Sequence, residues 1–162
     1  MSRREPERRV GWQAEMRDEI VLEEVDADNW RACAALEVGD EQTEFVAPVS
    51  YYLALCAYGD SPWRPLAVRA RDGVVGFVMW GRDPADGNFW IGGLVIDRRH
   101  QRRGYGRKVV RKLLGHAAAE GYASAALSYN PRNSAARALY AGLGFEETGE
   151  FEGSETVARR PP

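Results

Sequence analysis

The stretch LVIDRRHQRRGYGRKVVRKLL, residues 94–114, passes from an apolar run through a basic, glycine-containing segment into a helical pattern. The apolar run is typical of a buried strand, and Gly104 and Gly106 indicate a tight turn. From Gly106 to Glu120 the apolar residues recur at helical spacing, with arginine and lysine on the opposite face. The stretch therefore predicts a strand, a glycine turn and the start of an amphipathic helix.

A helix that begins at such a turn favours anion binding. Glycine has no Cβ, so backbone N–H groups can converge on a ligand, and the helix dipole adds about half a positive charge. The same pattern also occurs in ordinary basic turns, and a basic helix face also suits a nucleic-acid duplex. The segment lacks both the Walker A pattern and the dinucleotide-binding GxGxxG pattern. On this stretch alone, the anion site, the plain turn and the duplex-binding helix all remain open.

Working outward, the sequence predicts a mixed α/β domain. Two β-rich runs separated by Asp72-Gly73 predict an antiparallel hairpin, and Gly92-Gly93 inside the next strand predicts a bulge. A short helix capped by Asp26 or Asp28 is expected to bury Trp30, and a second helix follows Pro48. The predicted order is β, α, α, β, β, β, α, β, α, β, β, without an internal repeat.

Composition restricts the class of protein. The chain has 162 residues, 44% hydrophobic and 28% charged, which suits one globular domain over residues 19–162. Residues 1–18 are charge-rich and are expected to form a flexible tail. No apolar run approaches about 18 residues, so we expect a cytoplasmic protein without a membrane partner. Cys33 and Cys56 have no metal-ligand spacing around them, so no metal is expected.

Charge is distributed unevenly along the chain. The net charge of −2 argues against a nucleic-acid partner, for which a strongly basic domain is expected. Residues 18–46 hold ten acidic side chains and one arginine, whereas residues 98–112 hold eight basic side chains and no acid. This asymmetry suggests two partners of opposite sign, a cationic one and an anionic one.

A second motif, NPRNSAARALYAGLGF at residues 130–145, follows the first about thirty residues later. Together the two motifs resemble the GNAT acetyltransferase superfamily, and the resemblance covers residues 19–157. In that family Q/R-x-x-G-x-G/A binds the pyrophosphate of acetyl-CoA. The positions that match the two family patterns are Gln101, Gly104, Gly106, Asn133, Ala136, Tyr140, Gly144 and Phe145.

The resemblance implies a fold and a cosubstrate. The implied fold is the acyl-CoA N-acyltransferase fold, a mostly antiparallel mixed sheet that is splayed at a bulge and flanked by helices. Acetyl-CoA is implied to lie against the backbone of the splayed strand and the amides of the glycine turn, with arginine side chains in support. The implied acetyl-CoA site comprises Leu94, Val95, Ile96, Gln101, Arg102, Arg103, Gly104, Tyr105, Gly106, Arg107 and Asn133.

The resemblance also implies the catalytic groups. Tyr140 occupies the position of the tyrosine that protonates the departing CoA sulfur. The base is one of Glu37, Glu41 and Glu44, acting directly or through water, and Glu41 is taken as the candidate. Direct attack by the amine is expected because no cysteine lies near the motifs to carry an acyl intermediate. The candidate acceptor-binding residues are Glu37, Glu41, Glu44, Trp80 and Tyr129, with Trp90 as a further aromatic candidate.

Within the superfamily, the segment EQTEFVAP at residues 41–48 resembles the spermine/spermidine acetyltransferase branch. A polyamine acceptor also suits the acidic region, because a polycation is attracted to clustered carboxylates. The alternatives are another cationic amine, such as a protein N-terminus, a lysine or an amine drug, and a non-enzymatic nucleic-acid-binding module. The resemblance further suggests a homodimer.

Overall fold

The computed structural model describes residues 19–162, which form one seven-stranded sheet and four α-helices. The strands are β1 (Val21–Glu24), β2 (Arg64–Ala70), β3 (Gly73–Arg82), β4 (Phe89–Ile96), β5 (Ala125–Tyr129), β6 (Glu146–Glu152) and β7 (Glu155–Arg160). The helices are α1 (Trp30–Ala34), α2 (Val49–Tyr58), α3 (Tyr105–Ala119) and α4 (Ser134–Gly142). Two 3₁₀ turns lie at Asp40–Gln42 and Arg98–His100. The order of strands and α-helices is as predicted, and the predicted tail, residues 1–18, lies outside the described residues.

The sheet has the strand order β1-β2-β3-β4-β5-β7-β6. Every neighbouring pair is antiparallel except β4 and β5, which are parallel. The hairpin predicted at Asp72-Gly73 joins β2 to β3, where Ala70 pairs with Gly73. The mostly antiparallel mixed sheet flanked by helices is therefore confirmed.

Helices cover both faces of the sheet. On one face α3 buries Val109, Val110 and Leu113 against the strands, as its apolar spacing predicts. On the other face α1 and α2 contribute Cys33 and Val49 to a second cluster. The strands that contribute to this second cluster are β2, β3 and β4. The cluster therefore ends at β4 and does not extend to β5.

Trp30 corrects one prediction about α1. The sequence pattern places Trp30 in the core, whereas the structure leaves 40% of the residue exposed beside the Arg31 guanidinium, 4.5 Å from the ring centroid. The helix has only five residues, so it presents one narrow face to the sheet, and Cys33 occupies that face. The N-cap is Asn29, and Asp26 Oδ1 accepts hydrogen bonds from the two backbone N–H groups before the helix.

The bulge predicted at Gly92-Gly93 is present in β4. Phe77 pairs with Val95, whereas Met79 pairs with Gly92, so β4 has an extra residue at this point. Gly93 has a φ of +58°, which favours glycine. Pairing between β4 and β5 is confined to Phe89–Ala125 and Trp90–Ala126. Beyond the second of these pairs the strands separate, which confirms the predicted splay and leaves the β5-facing edge of β4 unpaired.

No helix within residues 19–162 has the length and apolar character needed to cross a membrane.

Candidate active site

A cavity of about 1020 Å³ lies where β4 and β5 separate. It is lined by the start of α3, by α4, by α2, by the loop that contains Glu41 and by the first residue of β7. Two ring nitrogens of the wall, Trp90 Nε1 and His100 Nδ1, are buried and have no hydrogen-bond partner within residues 19–162.

The first turn of α3 forms the anion-binding end of the cavity. Gly104 is the N-cap residue, with a φ of +79°. The first backbone N–H to bond within the helix is that of Lys108, which donates to the Gly104 carbonyl oxygen at 3.2 Å. The preceding N–H groups, those of Tyr105, Gly106 and Arg107, have no intrahelical acceptor by helix geometry. They are available to phosphate oxygens, in agreement with the glycine pattern.

The arginine side chains near this turn differ in placement. Arg102 lines the cavity and has a φ of +63°, which is the only positive value at a non-glycine position within residues 19–162. Arg107 also lines the cavity, and its guanidinium lies beside Gly142 at the end of α4. Arg103 does not line the cavity, and its Nη1 lies 3.9 Å from Asp72 Oδ2. Arg102 and Arg107 are thus the arginines placed to support a bound phosphate.

Gln101 connects the anion-binding turn to the loop on the opposite side of the cavity. Its Nε2 donates to the Ile96 carbonyl oxygen at 2.9 Å and to Gln42 Oε1 at 2.8 Å. Leu94, Val95 and Ile96 line the cavity with the unpaired edge of β4, but this bond already occupies the carbonyl of Ile96. The structure therefore places Gln101 as a bridge between two walls.

Helix α4 brings Asn133 and Tyr140 to the cavity. Asn133 is the N-cap, and its Oδ1 accepts a hydrogen bond from the Ala136 N–H at 3.1 Å. The Tyr140 ring lies 5.6 Å from that of Tyr129 and 6.0 Å from that of Phe145, centroid to centroid. Burial raises the pKa of the Tyr140 hydroxyl, and the charge of Glu155 raises it further. Tyr140 is therefore protonated at neutral pH and is able to donate a proton.

The three glutamates of the acidic loop are not brought together. Glu41 lines the cavity, but Glu37 and Glu44 do not. Glu37 forms an exposed ion pair with Arg98 at 3.2 Å, and Glu44 Oε2 lies 3.4 Å from Arg132 Nη2. Of the three, only Glu41 belongs to the lining of the cavity, and its carboxylate turns back toward Gly39.

The aromatic candidates also divide between two places. Trp90 and Tyr129 line the cavity, and the Tyr129 hydroxyl donates to Glu147 Oε1 at 2.7 Å. Trp80 stacks on Phe89, with centroids 5.0 Å apart, and contacts the His116 ring of α3. Trp80 therefore belongs to the packing between the sheet and α3 and does not line the cavity.

Sequence reasoning missed the carboxylate of Glu155. This residue begins β7, lines the cavity and is partly buried, and burial raises the pKa of its carboxyl. Its Oε2 accepts a hydrogen bond from Ser128 Oγ of β5 at 3.4 Å. The neighbouring residues FEGSET indicate only a turn between two weak strands. The pairing of β5 with β7, which is not apparent from the sequence alone, places Glu155 at the site.

The chain was compared with known proteins. A family model described as the acetyltransferase (GNAT) family matches residues 30–145. A spermine/spermidine N(1)-acetyltransferase of Bacillus subtilis (strain 168) is 29% identical over 153 residues, which cover 86% of this chain and 97% of that protein.

Solved structures share the fold. A domain from Methanocaldococcus jannaschii DSM 2661 superposes with a TM-score of 0.73 at 17% identity, covering 89% of this chain and 99% of that one. The spermidine N-acetyltransferase of Vibrio cholerae, solved in complex with CoA and spermine, gives a TM-score of 0.65 at 18% identity, covering 86% and 92%. At these identities the likeness to both structures concerns the fold.

Proposed function

Because this chain belongs to the acetyltransferase (GNAT) family, and is thus an acetyl-CoA-dependent N-acetyltransferase, we propose that its acceptor is a polyamine such as spermidine or spermine. The supporting observation is a group of carboxylates that line the cavity. The carboxylates in this wall are those of Glu41, Asp83, Glu152 and Glu155. An elongated polycation is attracted to such a wall along its whole length, whereas a neutral amine is not.

Acetyl-CoA fits the anion-binding end of the cavity. The first-turn amides of α3 would take the pyrophosphate, and Arg102 and Arg107 would add positive charge. The unpaired edge of β4 from Leu94 onward would hold the pantetheine arm through backbone hydrogen bonds. Asn133 would act by capping α4, the helix that carries Tyr140, through its bond to Ala136 N–H. The cosubstrate thus approaches the β4 bulge from one side and the amine approaches it from the other.

The reaction is a direct attack of the amine on the thioester carbonyl. Backbone N–H groups near Leu94–Ile96 would stabilise the oxyanion, and Tyr140 would protonate the departing sulfur. Removing the proton from a lysine-like amine at pH 7 costs roughly 4–5 kcal/mol, because the pKa of such an amine is about 10.4. Cys33 and Cys56 lie in the packing around α1 and α2 and do not line the cavity, so neither is placed to carry an acyl group.

The relative from Bacillus subtilis supports the same acceptor. Its name identifies spermine and spermidine as acceptors, and the match runs over nearly the whole length of that protein. The other cationic amines considered from the sequence remain the alternative class, because a GNAT pocket can change while the CoA-binding scaffold is retained. A homodimer, also suggested by the resemblance, stays a proposal that light scattering in solution would test.

The acceptor proposal is tested by incubating the protein with acetyl-CoA and single amines, and measuring the products by mass spectrometry. The panel comprises spermidine, spermine, a lysine peptide and a peptide with a free N-terminus. We expect monoacetylated spermidine or spermine to form with the highest kcat/KM. The absence of acetylated product from either polyamine would overturn the acceptor proposal, and product on a peptide alone would assign the alternative class.

A charge variant separates binding from chemistry. Glu41→Gln is expected to raise the KM for spermidine roughly two- to fivefold, the effect of losing one exposed ion pair, with little change in kcat. Glu24→Gln removes the same charge from β1, outside the cavity, and is the matched control. Equal KM values for both variants and the unmodified protein would show that the Glu41 carboxylate does not contact the amine.

A further inference from the structure

Glu155 is a carboxylate of the cavity wall that the family motifs do not contain. It is the first residue of β7, and its side chain reaches the cavity beside Ser128 of the adjacent strand. Ser128 Oγ donates to Glu155 Oε2 at 3.4 Å, which fixes the orientation of one carboxylate oxygen. Two neighbouring strands of the sheet therefore hold this group, in contrast to the loop that carries Glu41.

Two tyrosines, Tyr52 and Tyr140, line the cavity together with Glu155. Burial raises the pKa of Tyr52 and of Tyr140, and in each case Glu155 is the carboxylate that raises it further. Tyr52 lies over the bulge, since a Cβ on Gly93 would be 3.3 Å from Tyr52 Cγ. Glu155 thus lines the same cavity as the tyrosine that packs on the β4 bulge and the tyrosine assigned to protonate sulfur.

Other carboxylates of the wall are less well placed for chemistry. Glu41 is exposed, and its side chain turns back onto its own loop, so that a Cβ on Gly39 would meet Glu41 Oε1 at 2.6 Å. Glu152 lies opposite Glu155 on β6, and all seven residues of that strand are exposed. Only a partly buried carboxylate exchanges a proton with an amine without immediate competition from bulk water.

We propose that Glu155 is the general base that removes the proton from the acceptor amine. This role replaces the expectation that Glu41 is the base, and leaves Glu41 as a binding residue. The inference rests on acetyl transfer to a primary amine and does not depend on the amine being a polyamine. It applies equally to a lysine or a monoamine that enters the same cavity.

The proton balance requires one base and one acid. The ammonium form of the amine gives one proton to Glu155, and the neutral nitrogen then forms a bond to the acetyl carbonyl carbon. When the tetrahedral intermediate collapses, the C–S bond breaks and sulfur takes a proton from Tyr140. The second N–H proton is lost from nitrogen as the amide forms, and returns through water to Tyr140. Glu155 then releases its proton to solvent, so the net products are the acetamide, CoA thiol and one proton.

The groups around Glu155 explain why the pKa of its carboxyl is raised. They come from four elements, namely Ser128 of β5, Glu152 of β6, Tyr52 of α2 and Tyr140 of α4. Burial raises the pKa of Glu155, the Ser128 hydrogen bond lowers it, and the charge of Glu152 raises it. A carboxylate with a raised pKa is a stronger base than an ordinary surface carboxylate.

The test compares Glu155→Gln with Glu146→Gln, a matched variant that removes an exposed carboxylate of β6 outside the cavity. The glutamine Oε1 at position 155 can still accept the Ser128 hydrogen bond, and unchanged CoA affinity would show that the fold is retained. With the best amine of the panel, we expect Glu155→Gln to lower kcat about 10²- to 10⁴-fold at pH 7. The loss should shrink as the pH approaches 10, because the amine then loses its proton in solution. Glu155→Asp should recover part of the loss.

A second acceptor distinguishes a general base from a carboxylate that only binds the ammonium group of the amine. Methoxyamine is neutral at pH 7 and needs no base before attack, so its turnover should be similar in the unmodified protein and in Glu155→Gln. A higher KM for the cationic amine with unchanged kcat, or an equal loss in Glu146→Gln, would overturn the proposal. Carboxyl carbon NMR of the free protein gives a readout without any acceptor, because Glu155 should titrate at higher pH than Glu147. A Glu155 carboxyl that titrates at the same pH as Glu147, or below it, would also overturn the proposal. If no polyamine is acetylated but another amine is, the acceptor proposal fails, and these measurements still test the base proposal with that amine.

Discussion

Tyr140 is assigned to donate a proton to the CoA sulfur, yet the pKa of its hydroxyl is raised. The CoA thiolate accepts a proton with a thiol pKa of about 8.5, so a tyrosine whose pKa lies far above its usual value is a reluctant donor. The charge of Glu155 is one cause of the high value in the free protein. Once Glu155 has taken the proton of the amine, that charge is removed and the pKa of Tyr140 falls. The acid therefore becomes stronger at the stage of the reaction at which sulfur needs a proton.

Replacing Tyr140 by phenylalanine tests its role. The variant keeps the ring contacts with Tyr129 and Phe145 but removes the proton donor. We expect kcat to fall by about 10²- to 10⁴-fold with little change in the affinity for CoA, measured by steady-state kinetics and calorimetry. Tyr122→Phe, in a residue that packs on Phe89 outside the cavity, serves as the control. An equal loss of CoA affinity and kcat would assign the Tyr140 hydroxyl to cosubstrate binding.

The residues that could be predicted from the sequence share one property. Gly104, Gly106 and Tyr140 lie at fixed spacings within two continuous motifs, and local helix geometry alone brings them to the cavity. Glu155 lacks this property, since its position depends on the pairing of β7 with β5, where it contacts Ser128, 27 residues earlier in the chain. Such long-range strand pairing leaves no signature in the residues around position 155.

At the scale of elements, the placement of the loops explains most of the remaining differences between the predictions from the sequence and the structure. The periodic segments predicted the order of strands and helices, because apolar spacing reports the face that each element buries. Hydrogen bonds between distant loops are not encoded in that spacing. The bond from Gln101 to Gln42 follows from how the segment between α1 and α2 lies on the sheet, whereas the exposure of Trp30 follows from the single narrow face of the five-residue α1. The same placement puts Glu41 in the lining of the cavity and leaves Glu37 and Glu44 outside it.

Helix α3 has a left-handed glycine at each end, and this permits a controlled experiment. Gly104 at the start has a φ of +79° and Gly121, just after the end, has a φ of +80°. A Cβ at either position would meet no atom within 4 Å, so an alanine there causes backbone strain without a clash. The left-handed conformation costs an alanine about 1–2 kcal/mol. The two substitutions thus impose the same strain at the two ends of one helix.

We expect Gly104→Ala and Gly121→Ala to lower the free energy of unfolding by similar amounts, about 1 kcal/mol, in urea titrations. Only Gly104→Ala should weaken CoA binding, because relaxation of the strain moves the first-turn amides. Gly104→Asn should bind CoA better than Gly104→Ala, since asparagine adopts the left-handed conformation more readily. Similar CoA affinities for Gly104→Ala and Gly121→Ala in calorimetry would mean that the turn does not hold the phosphates.

At the scale of the whole molecule, two carboxylates have opposite effects on the stability of the fold. Asp97 is 1% exposed, and it joins the end of β4 to the loop after α1 through a hydrogen bond from the Glu37 N–H at 3.1 Å. Burial would raise the pKa of Asp97, but hydrogen bonds from the side chain and backbone of Arg99 hold it below the usual value. Glu155 has a raised pKa. One group therefore favours folding when it is ionised, and the other opposes it.

This opposition predicts different pH dependences for Asp97→Asn and Glu155→Gln. The contribution of Asp97 is fully present above its unfolded pKa of about 3.9 and is lost as the pH falls toward its lower folded value. Asp97→Asn should thus lower the free energy of unfolding by about 1.5–3 kcal/mol at pH 7, the range for hydrogen bonds to a charged group. The deficit should diminish below about pH 4.

Glu155 has the reverse sign. Its ionised form opposes folding once the pH exceeds the unfolded pKa of about 4.3, and the penalty is complete above the raised folded pKa. Glu155→Gln should therefore be more stable than the unmodified protein at pH 7, by about 0.5–2 kcal/mol, with no gain below about pH 4. Urea titrations at pH 4, 5.5 and 7 measure both variants against the unmodified protein. A Glu155→Gln variant that loses stability at pH 7 would show that this carboxylate is held for the fold, whereas a gain means that the site retains a destabilising charge for its chemistry.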